Sequence, residues 1–248
     1  HARASLARGA PRGSPPTGAR AVITALARPA MARLGRPRPL LIVGAWAALA
    51  LGFALAARST GASHGADHAL ADAFGAVVLP LIAYSIVGAV VAGRSLSGAA
   101  SPVVAFGARP SRAASFLVAV SVGACCAVCA LLAAAVAVLA HGASDPPLVR
   151  DAAASAYAGL LGGAAYASWF SMGAAFGRRG GGRTVLLLLD WLLGAGHSVA
   201  AVFAPRAHLR SLLGGAGPLN WSGGVSAVAL VTIAIGCAVV AVTRSRRS

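Results

Sequence analysis

Six apolar runs of 18 to 28 residues constrain the fold of this 248-residue chain more than any other feature. The hydrocarbon core of a bilayer is about 30 Å thick and a helix advances about 1.5 Å per residue, so about 20 apolar residues cross it. Each run is therefore predicted to form one membrane-crossing helix. The runs are residues 40–57, 73–93, 113–140, 152–177, 184–204 and 225–243.

The composition excludes an ordinary soluble enzyme. Apolar residues make up 58% of the chain and charged residues only 10%, whereas a typical soluble domain has about 25% charged residues. A chain with this little polar surface needs lipid around it. The predicted fold class is therefore all-α, a polytopic membrane protein with six transmembrane helices.

The arginines predict the orientation of these helices. Seventeen of the 21 arginines lie before the first run, after the last run, or in the second and fourth connections. The other four are Arg58, Arg150, Arg206 and Arg210. Because positive residues are retained on the cytoplasmic side, both termini are predicted to be cytoplasmic. The predicted location is the inner (plasma) membrane of a bacterium. Because this orientation rule accounts for the net charge of +16, no nucleic-acid partner is predicted.

The chain divides into two parts by composition. Residues 1–38 are rich in Arg, Pro and Gly and contain no acid, so they are predicted to be disordered or associated with the membrane surface. Residues 39–248 form the predicted six-span domain. Two interpretations of the basic segment stay open: an organelle transit peptide, or a natural start of the protein at Met31.

Residues that many enzyme motifs require are missing from the sequence. The absence of Lys excludes a Walker-type ATP-binding loop, and the absence of Glu excludes a His-Glu-x-x-His zinc site. The chain is therefore not predicted to be an enzyme, and no cofactor or metal is expected. An intramembrane enzyme that pairs His197 with a serine is retained as an alternative.

Two groups of residues have side chains of the kinds that bind metals. The first group is interpreted as a packing cluster and the second as a solvated loop, and metal binding is the alternative for each. The first group is Cys125, Cys126 and Cys129 inside the third run, and the second is His64, Asp67, His68 and Asp72 before the second run.

Asp190 is the most informative single residue because it lies inside the fifth run. A carboxylate near the middle of a bilayer costs roughly 3 kcal/mol, so it should face the bundle, a cavity or a partner. Arg183 and His197 lie seven residues to either side, which predicts one shared helix face. Two interpretations stay open. Asp190 and His197 belong to a substrate path, a proton relay or a gate, or Asp190 is a structural lock to an Arg or a hydroxyl on another helix, near the cytoplasmic interface.

Glycines predict close helix packing in the fourth run. Gly159 and Gly163 form one small-xxx-small pair, and Gly173 and Gly177 form a second. Such pairs are typical of a tightly packed bundle or of a dimer face. The aromatic residues of this region are interpreted as packing residues or interfacial anchors; they are Tyr157, Tyr166, Trp169 and Trp191.

Two connections contain apolar residues and are predicted to form short elements. In the second connection, Val103, Val104 and Phe106 indicate a segment that docks on the bilayer surface or on a cytosolic partner. Residues 205–215 are predicted to form an amphipathic helix in the external interface. Its arginines would point to head groups and its leucines to lipid; these are Leu209, Leu212 and Leu213.

This layout resembles the membrane subunit of a type-2 ABC exporter. The similarity covers roughly residues 40–247 and rests on six spans, cytoplasmic termini, and a second connection with a Phe-Gly-Ala-Arg turn before a long third span. An interrupted segment at 205–222 and a basic tail complete it. The family's helix before the first span corresponds to residues 19–34, which Pro29 is predicted to break. The family's coupling segment often carries an acid, and this one has none.

The resemblance implies a cytosolic ATP-binding subunit that docks on about residues 101–112. It assigns these contacts to Val103, Phe106, Arg109 and Arg112. It also implies a second permease chain, surrounding membrane lipid, and a lipid-like or amphipathic substrate. The alternative function is a six-span channel, a secondary carrier or an accessory subunit of a membrane complex.

Overall fold

The computed structural model describes residues 19–59, 69–105, 107–142, 146–177, 179–196 and 198–246. Every regular element within these residues is helical, and they contain no strand. The helices are α1 (Ala19–Leu34), α2 (Pro37–Ser59), α3 (Leu79–Val90), α4 (Leu96–Val104), α5 (Pro110–Ala140), α6 (Leu148–Ala174), α7 (Gly182–Leu193), α8 (Pro205–Leu212) and α9 (Gly223–Arg244). A π-helical segment, Ala69–Val78, leads directly into α3.

Within the described residues, four helices are long and apolar enough to cross a membrane: Pro37–Ser59, Ala73–Val90, Pro110–Ala140 and Gly223–Arg244. They correspond to the first, second, third and sixth apolar runs, whose helical structure is confirmed. On α2 and α9, large apolar side chains such as Leu41 and Val228 are 71% and 67% exposed. Such surfaces suit lipid and not water.

Helix α6 lies at the centre of the bundle. It packs most extensively on α5, and also on α9, α7 and α3. Fourteen of its 27 residues are buried, among them Ser155, Ser168 and Ser171. Because other helices and not lipid cover much of its surface, this helix can hold more Gly and Ser than α2 or α9.

The prediction of one continuous helix over residues 184–204 is wrong. Helix α7 ends at Leu193 after 12 residues, which is about 18 Å of helix. A short 3₁₀ turn at Val199–Phe203 follows, and α8 then begins. At Gly194, just after α7, a Cβ atom would lie 2.7 Å from Cβ of Arg206. The chain therefore turns where a glycine permits α8 to approach the end of α7.

The prediction that the leucines of residues 205–215 face lipid is also wrong. Leu209 is fully buried, and a Cβ atom at Gly162 of α6 would lie 3.0 Å from its Cδ1 atom. Leu213 is also buried and lies against Gly75. Helix α8 thus packs its leucines into glycine-lined gaps of the bundle, and these two leucines do not face lipid.

Pro29 does not break the helix before the first span. Helix α1 continues through it, and Pro29 is exposed whereas Ala30 is buried against the neighbouring helices. A proline removes one backbone donor, and the helix continues past it with Ala30 packed against the bundle. Residues 1–18, the other part of the predicted basic segment, lie outside the described residues.

Candidate functional site

Asp190 is completely buried in α7 and bonds to two other helices. The Tyr166 hydroxyl of α6 donates a hydrogen bond to its Oδ2 atom at 2.6 Å. The backbone N–H of Arg206, in α8, donates to its Oδ1 atom at 3.1 Å. Both carboxylate oxygens therefore have a donor, and hydrogen bonds to an ionised group are stronger than neutral ones. This three-helix contact is called the Asp190 cluster below.

Arg206 strengthens the same junction with its side chain. Its Nη1 atom donates to the carbonyl oxygen of Trp191 at 3.3 Å. Arg210, one turn later, donates to the carbonyl oxygen of Ala195 at 3.3 Å. The last carbonyls of a helix have no partner within the helix and carry partial negative charge. The arginines of α8 thus satisfy acceptors at and beyond the end of α7.

Aromatic residues extend the Asp190 cluster across the bundle. The Tyr166 ring stacks on Phe170 with centroids 5.8 Å apart. The Phe170 and Tyr84 rings form a T-shaped pair with centroids 5.6 Å apart. The Tyr84 hydroxyl lies 2.9 Å from the Thr184 hydroxyl at the start of α7. The Tyr166–Asp190 hydrogen bond at one end of this aromatic row and the Tyr84–Thr184 contact at the other therefore join α3, α6 and α7.

Two tryptophans add backbone contacts to the same helices. The indole N–H of Trp169 donates to the carbonyl oxygen of Leu186 at 3.2 Å. The indole N–H of Trp191 donates to the carbonyl oxygen of Ala76 at 3.2 Å. Both indoles are half-buried, and each hydrogen bond satisfies the single donor of its side chain. Both side chains act as packing residues inside this region.

Arg183 is buried at the beginning of α7. Its Nε atom donates to the carbonyl oxygen of Gly180 at 3.3 Å, and its guanidinium carbon lies 5.4 Å from the centroid of the Tyr84 ring. Glycines make room for it: a Cβ atom at Gly88 would lie 2.8 Å from its Nη1 atom, and one at Gly173 would lie 2.8 Å from its Cα atom.

The shared helix face predicted for Arg183, Asp190 and His197 exists only in part. Arg183 and Asp190 both belong to α7 and are both buried. His197 lies outside the described residues, and α7 ends four residues before it at Leu193. Helical spacing therefore does not extend from Asp190 to His197.

The first glycine pair of α6 lies against α5. A Cβ atom at Gly163 would lie 2.8 Å from the carbonyl oxygen of Cys125, and one at Gly159 would overlap the carbonyl oxygen of Cys129. Cys125 and Cys129 are themselves buried. The pair thus lets two helices of the same chain approach, which is the bundle interpretation and not the dimer interpretation.

The second glycine pair has a different environment. Gly173 contacts the backbone of α7 at Arg183, as described above. Gly177 lies beyond the end of α6 in a turn and adopts a φ of +82°, a conformation that glycine adopts without strain. Only Gly173 of this pair is therefore a helix-packing residue.

The second connection forms the short helix α4. The Ser95 hydroxyl accepts a hydrogen bond from the Gly98 backbone N–H at 3.1 Å and so caps its start. Leu96, Ala99 and Ala100 are buried, and the helix packs on α5 and α1. Its other side is open, with Ser101 and Pro102 exposed.

Three of the four predicted coupling residues are described, and they lie at the end of α4 or after it. Val103 is half-buried, and Arg109 and Arg112 are exposed beside the start of α5. Phe106 lies outside the described residues. Of the metal-type residues near the second run, His64, Asp67 and His68 also lie outside them, as does the side chain of Asp72.

An apolar groove of about 520 Å³ runs between α5, α6 and α9. Small and branched side chains such as Val118, Val122, Ala234 and Ala238 line it, and Arg246 lies at one end. A groove of this composition suits an alkyl chain, and the arginine adds a positive charge at its end.

No family model, curated protein or solved structure matches this chain. In the part of the chain that the structure describes, every regular element is helical and four helices are suited to membrane crossing, which defines the class of the protein. Within that class, the Asp190 cluster, the capped helix α4 and the apolar groove are the features from which a function must be argued.

The sequence singled out Asp190 but not its partners. The sequence pattern assigns Tyr166 only as a packing or anchor residue, and it assigns Arg206 to an amphipathic helix without indicating a backbone contact. One signal was present: a tyrosine inside an apolar run needs a partner for its hydroxyl. The most suitable acceptor in the neighbouring run is the carboxylate of Asp190.

Proposed function

We propose that this chain is the membrane-spanning subunit of a type-2 ABC exporter, driven by a separate cytosolic ATPase. In this proposal the chain crosses the inner membrane six times, both termini are cytoplasmic, and the substrate is lipid-like or amphipathic. The observation that carries the proposal is helix α4. It is a short, separately capped helix in the connection between the second and third crossings.

Helix α4 has the two sides that a coupling element requires. One side is fixed to the bundle through Leu96, Ala99 and Ala100, which are buried. The opposite side presents Ser101 and Pro102. A rigid attachment on one side and a free surface on the other support a role in passing force from a docked ATPase to α5, the helix that follows directly.

The interrupted fifth crossing also supports the proposal. After α7 ends at Leu193, the chain turns and α8 packs back against α6 and α7. The resemblance described above includes an interrupted segment at 205–222 before the sixth crossing, and the break after Leu193 lies just before that segment. In this scheme α7 enters from the cytoplasmic side, and the segment 194–222 returns from the external side to α9.

The Asp190 cluster is proposed to lock this interrupted crossing in place. Both oxygens of Asp190 accept hydrogen bonds from protein donors. A carboxylate held in this way ties α7 to α6 and α8. The lock therefore stabilises a crossing that contains only 12 residues of α-helix.

The groove between α5, α6 and α9 supports a lipid-like or amphipathic substrate. Its volume of about 520 Å³ and its apolar walls suit an alkyl chain, and Arg246 suits an acidic head group. The same apolar surface also suits a second permease chain, which the proposal includes.

A secondary carrier is the second candidate, and the buried carboxylate of Asp190 is the observation that favours it. Ionisable residues inside a membrane bundle often belong to proton relays. The two candidates differ in their energy source, since an exporter of this kind requires ATP hydrolysis and a carrier requires an ion gradient.

The experiment that tests the proposal is purification of the full-length chain from native membranes in nanodiscs, with measurement of ATP hydrolysis. We expect a stoichiometric ATP-binding subunit and hydrolysis in the preparation. The double variant Arg109→Glu/Arg112→Glu should lose both. The matched control is Arg58→Glu/Arg150→Glu, which makes the same charge change at exposed positions predicted to lie on the external side.

Two results would overturn the proposal. Purification of the chain alone or with other membrane subunits, without ATP hydrolysis, would favour the carrier or accessory-subunit alternative. Equal loss of the ATPase in both double variants would show that charge alone, and not the segment next to α4, governs the association.

A further inference from the structure

Three arginines surround a cavity where the turn between α1 and α2 meets the end of α3. The cavity has a volume of about 490 Å³ and is lined by Arg33, Arg36 and Arg38 together with prolines and alanines. Pro37 and Pro39 belong to this lining and have no backbone N–H to offer. The guanidinium groups are therefore its main hydrogen-bond donors.

Within the described residues, the charge of this cavity has no acidic partner. The sequence contains no acid before Asp67, and no acid is among the residues that line the cavity. Arg33 donates one hydrogen bond, from Nη1 to the carbonyl oxygen of Val90 at 3.1 Å. Burial, and next the positive charges of Arg94 and Arg36, lower the pKa of Arg33. An anion in the cavity would relieve this repulsion.

The position along α2 indicates where the anion comes from. Helix α2 begins at Pro37 and is the first membrane-crossing helix. Leu40 and Leu41, just beyond the cavity, are 56% and 71% exposed and suit contact with lipid tails. The cavity thus lies at the boundary between the hydrocarbon core and water, where the phosphates of lipid head groups lie.

We propose that this cavity binds the phosphate group of an anionic phospholipid. Guanidinium groups bind phosphate oxygens through paired, charge-assisted hydrogen bonds. The acyl chains of the lipid lie along the apolar surface that starts at Leu40. The inference depends on embedding in a membrane but not on the transport function proposed above.

Lipid titration of the purified full-length chain, followed by native mass spectrometry, tests the proposal. Phosphatidylglycerol and phosphatidylcholine with the same acyl chains are the two probes. We expect preferential binding of phosphatidylglycerol. Arg36→Gln/Arg38→Gln should weaken that binding roughly 10- to 30-fold and weaken phosphatidylcholine binding much less, because the choline cation offsets the phosphate charge of that lipid. Both arginines are exposed, so this double variant should fold, which circular dichroism checks.

The control is Arg58→Gln/Arg150→Gln, which removes the same charge at exposed positions outside the cavity and should bind phosphatidylglycerol like the wild type. Equal losses in both double variants, or no loss in Arg36→Gln/Arg38→Gln, would overturn the proposal. A third arm adds millimolar inorganic phosphate. We expect no displacement of the lipid, and displacement would identify a soluble phosphate as the occupant and overturn the lipid assignment.

Discussion

The hydroxyl of Tyr166 lies 2.6 Å from a carboxylate oxygen of Asp190, and both residues are completely buried. This single contact joins the central helix α6 to the interrupted segment that starts with α7. The second oxygen of Asp190 accepts a hydrogen bond from α8. The carboxylate therefore holds together three helices that are separated by turns in the sequence.

Tyr166→Phe should destabilise the protein by about 1–3 kcal/mol, because it leaves a buried carboxylate oxygen without its donor. Thermal unfolding in nanodiscs measures the effect. Tyr157→Phe is the matched control, since Tyr157 lies on the same helix but is 54% exposed, and it should have almost no effect. Equal unfolding temperatures for Tyr166→Phe and the wild type would show that the contact contributes nothing.

Asp190→Asn distinguishes the lock from a proton path. The amide oxygen of Asn can still accept the hydrogen bond from Tyr166, but its NH₂ group would face the Arg206 N–H donor. We therefore expect ATP-driven transport to persist with a loss of stability of about 1–3 kcal/mol. Asp190→Ala removes both acceptors and should lower the unfolding temperature more. Abolition of proton-coupled transport by Asp190→Asn in a fully folded protein would instead favour the secondary carrier.

Much of the bundle could be predicted from the sequence because length and apolarity are local properties. Helices α2, α5 and α9 extend beyond the predicted runs by at most three residues at either end. The break in the fifth run could not be predicted in this way, since it depends on contact between Gly194 and Arg206. Hydropathy along a segment gives no information about such contacts between elements.

Helix α8 illustrates the same limit of pattern reading. Its arginines and leucines alternate as in a helix at a membrane interface, yet Leu209 fills a gap beside Gly162 and Arg206 bonds to Trp191. The amphipathic pattern is compatible with both environments. The partner of Asp190 was missed for a related reason, because Tyr166 lies 24 residues away in the chain.

Gly163→Ala should destabilise the α5–α6 contact by about 1–3 kcal/mol, because its Cβ atom would lie 2.8 Å from the Cys125 carbonyl oxygen and the helices would have to separate. Gly123→Ala in α5 is the control, since no atom lies within 4 Å of its added Cβ atom. Thermal unfolding compares the two. A Gly163→Ala protein as stable as Gly123→Ala would contradict the close packing of α5 and α6.

His208 should make the protein less stable in mild acid. It is buried in α8, outside the membrane-crossing helices, and its Nε2 atom lies 2.8 Å from the carbonyl oxygen of Val202. Burial lowers the pKa of His208, and the hydrogen bond to Val202 raises it in part. His208 therefore binds a proton more readily in the unfolded chain than in the folded chain. Below a pH of about 6.5, the free energy of unfolding falls as the pH is lowered.

Unfolding temperatures at pH 7.5 and 5.0 measure this effect. The wild type should lose more stability between these pH values than His208→Gln, which has no group that titrates at this position. The same pH dependence in both proteins would contradict the assignment to His208, because other groups would then account for the loss.

Site-specific photo-cross-linking from Ser101 tests the central claim most directly. Ser101 lies on the exposed side of α4, so a photoreactive amino acid at this position should cross-link the full-length chain to a cytosolic ATP-binding protein in native membranes. The same label at Val149, which is 81% exposed at the other end of the bundle, should not. Cross-links from Ser101 to membrane proteins or lipid alone would contradict the account of α4 as the coupling helix of an exporter.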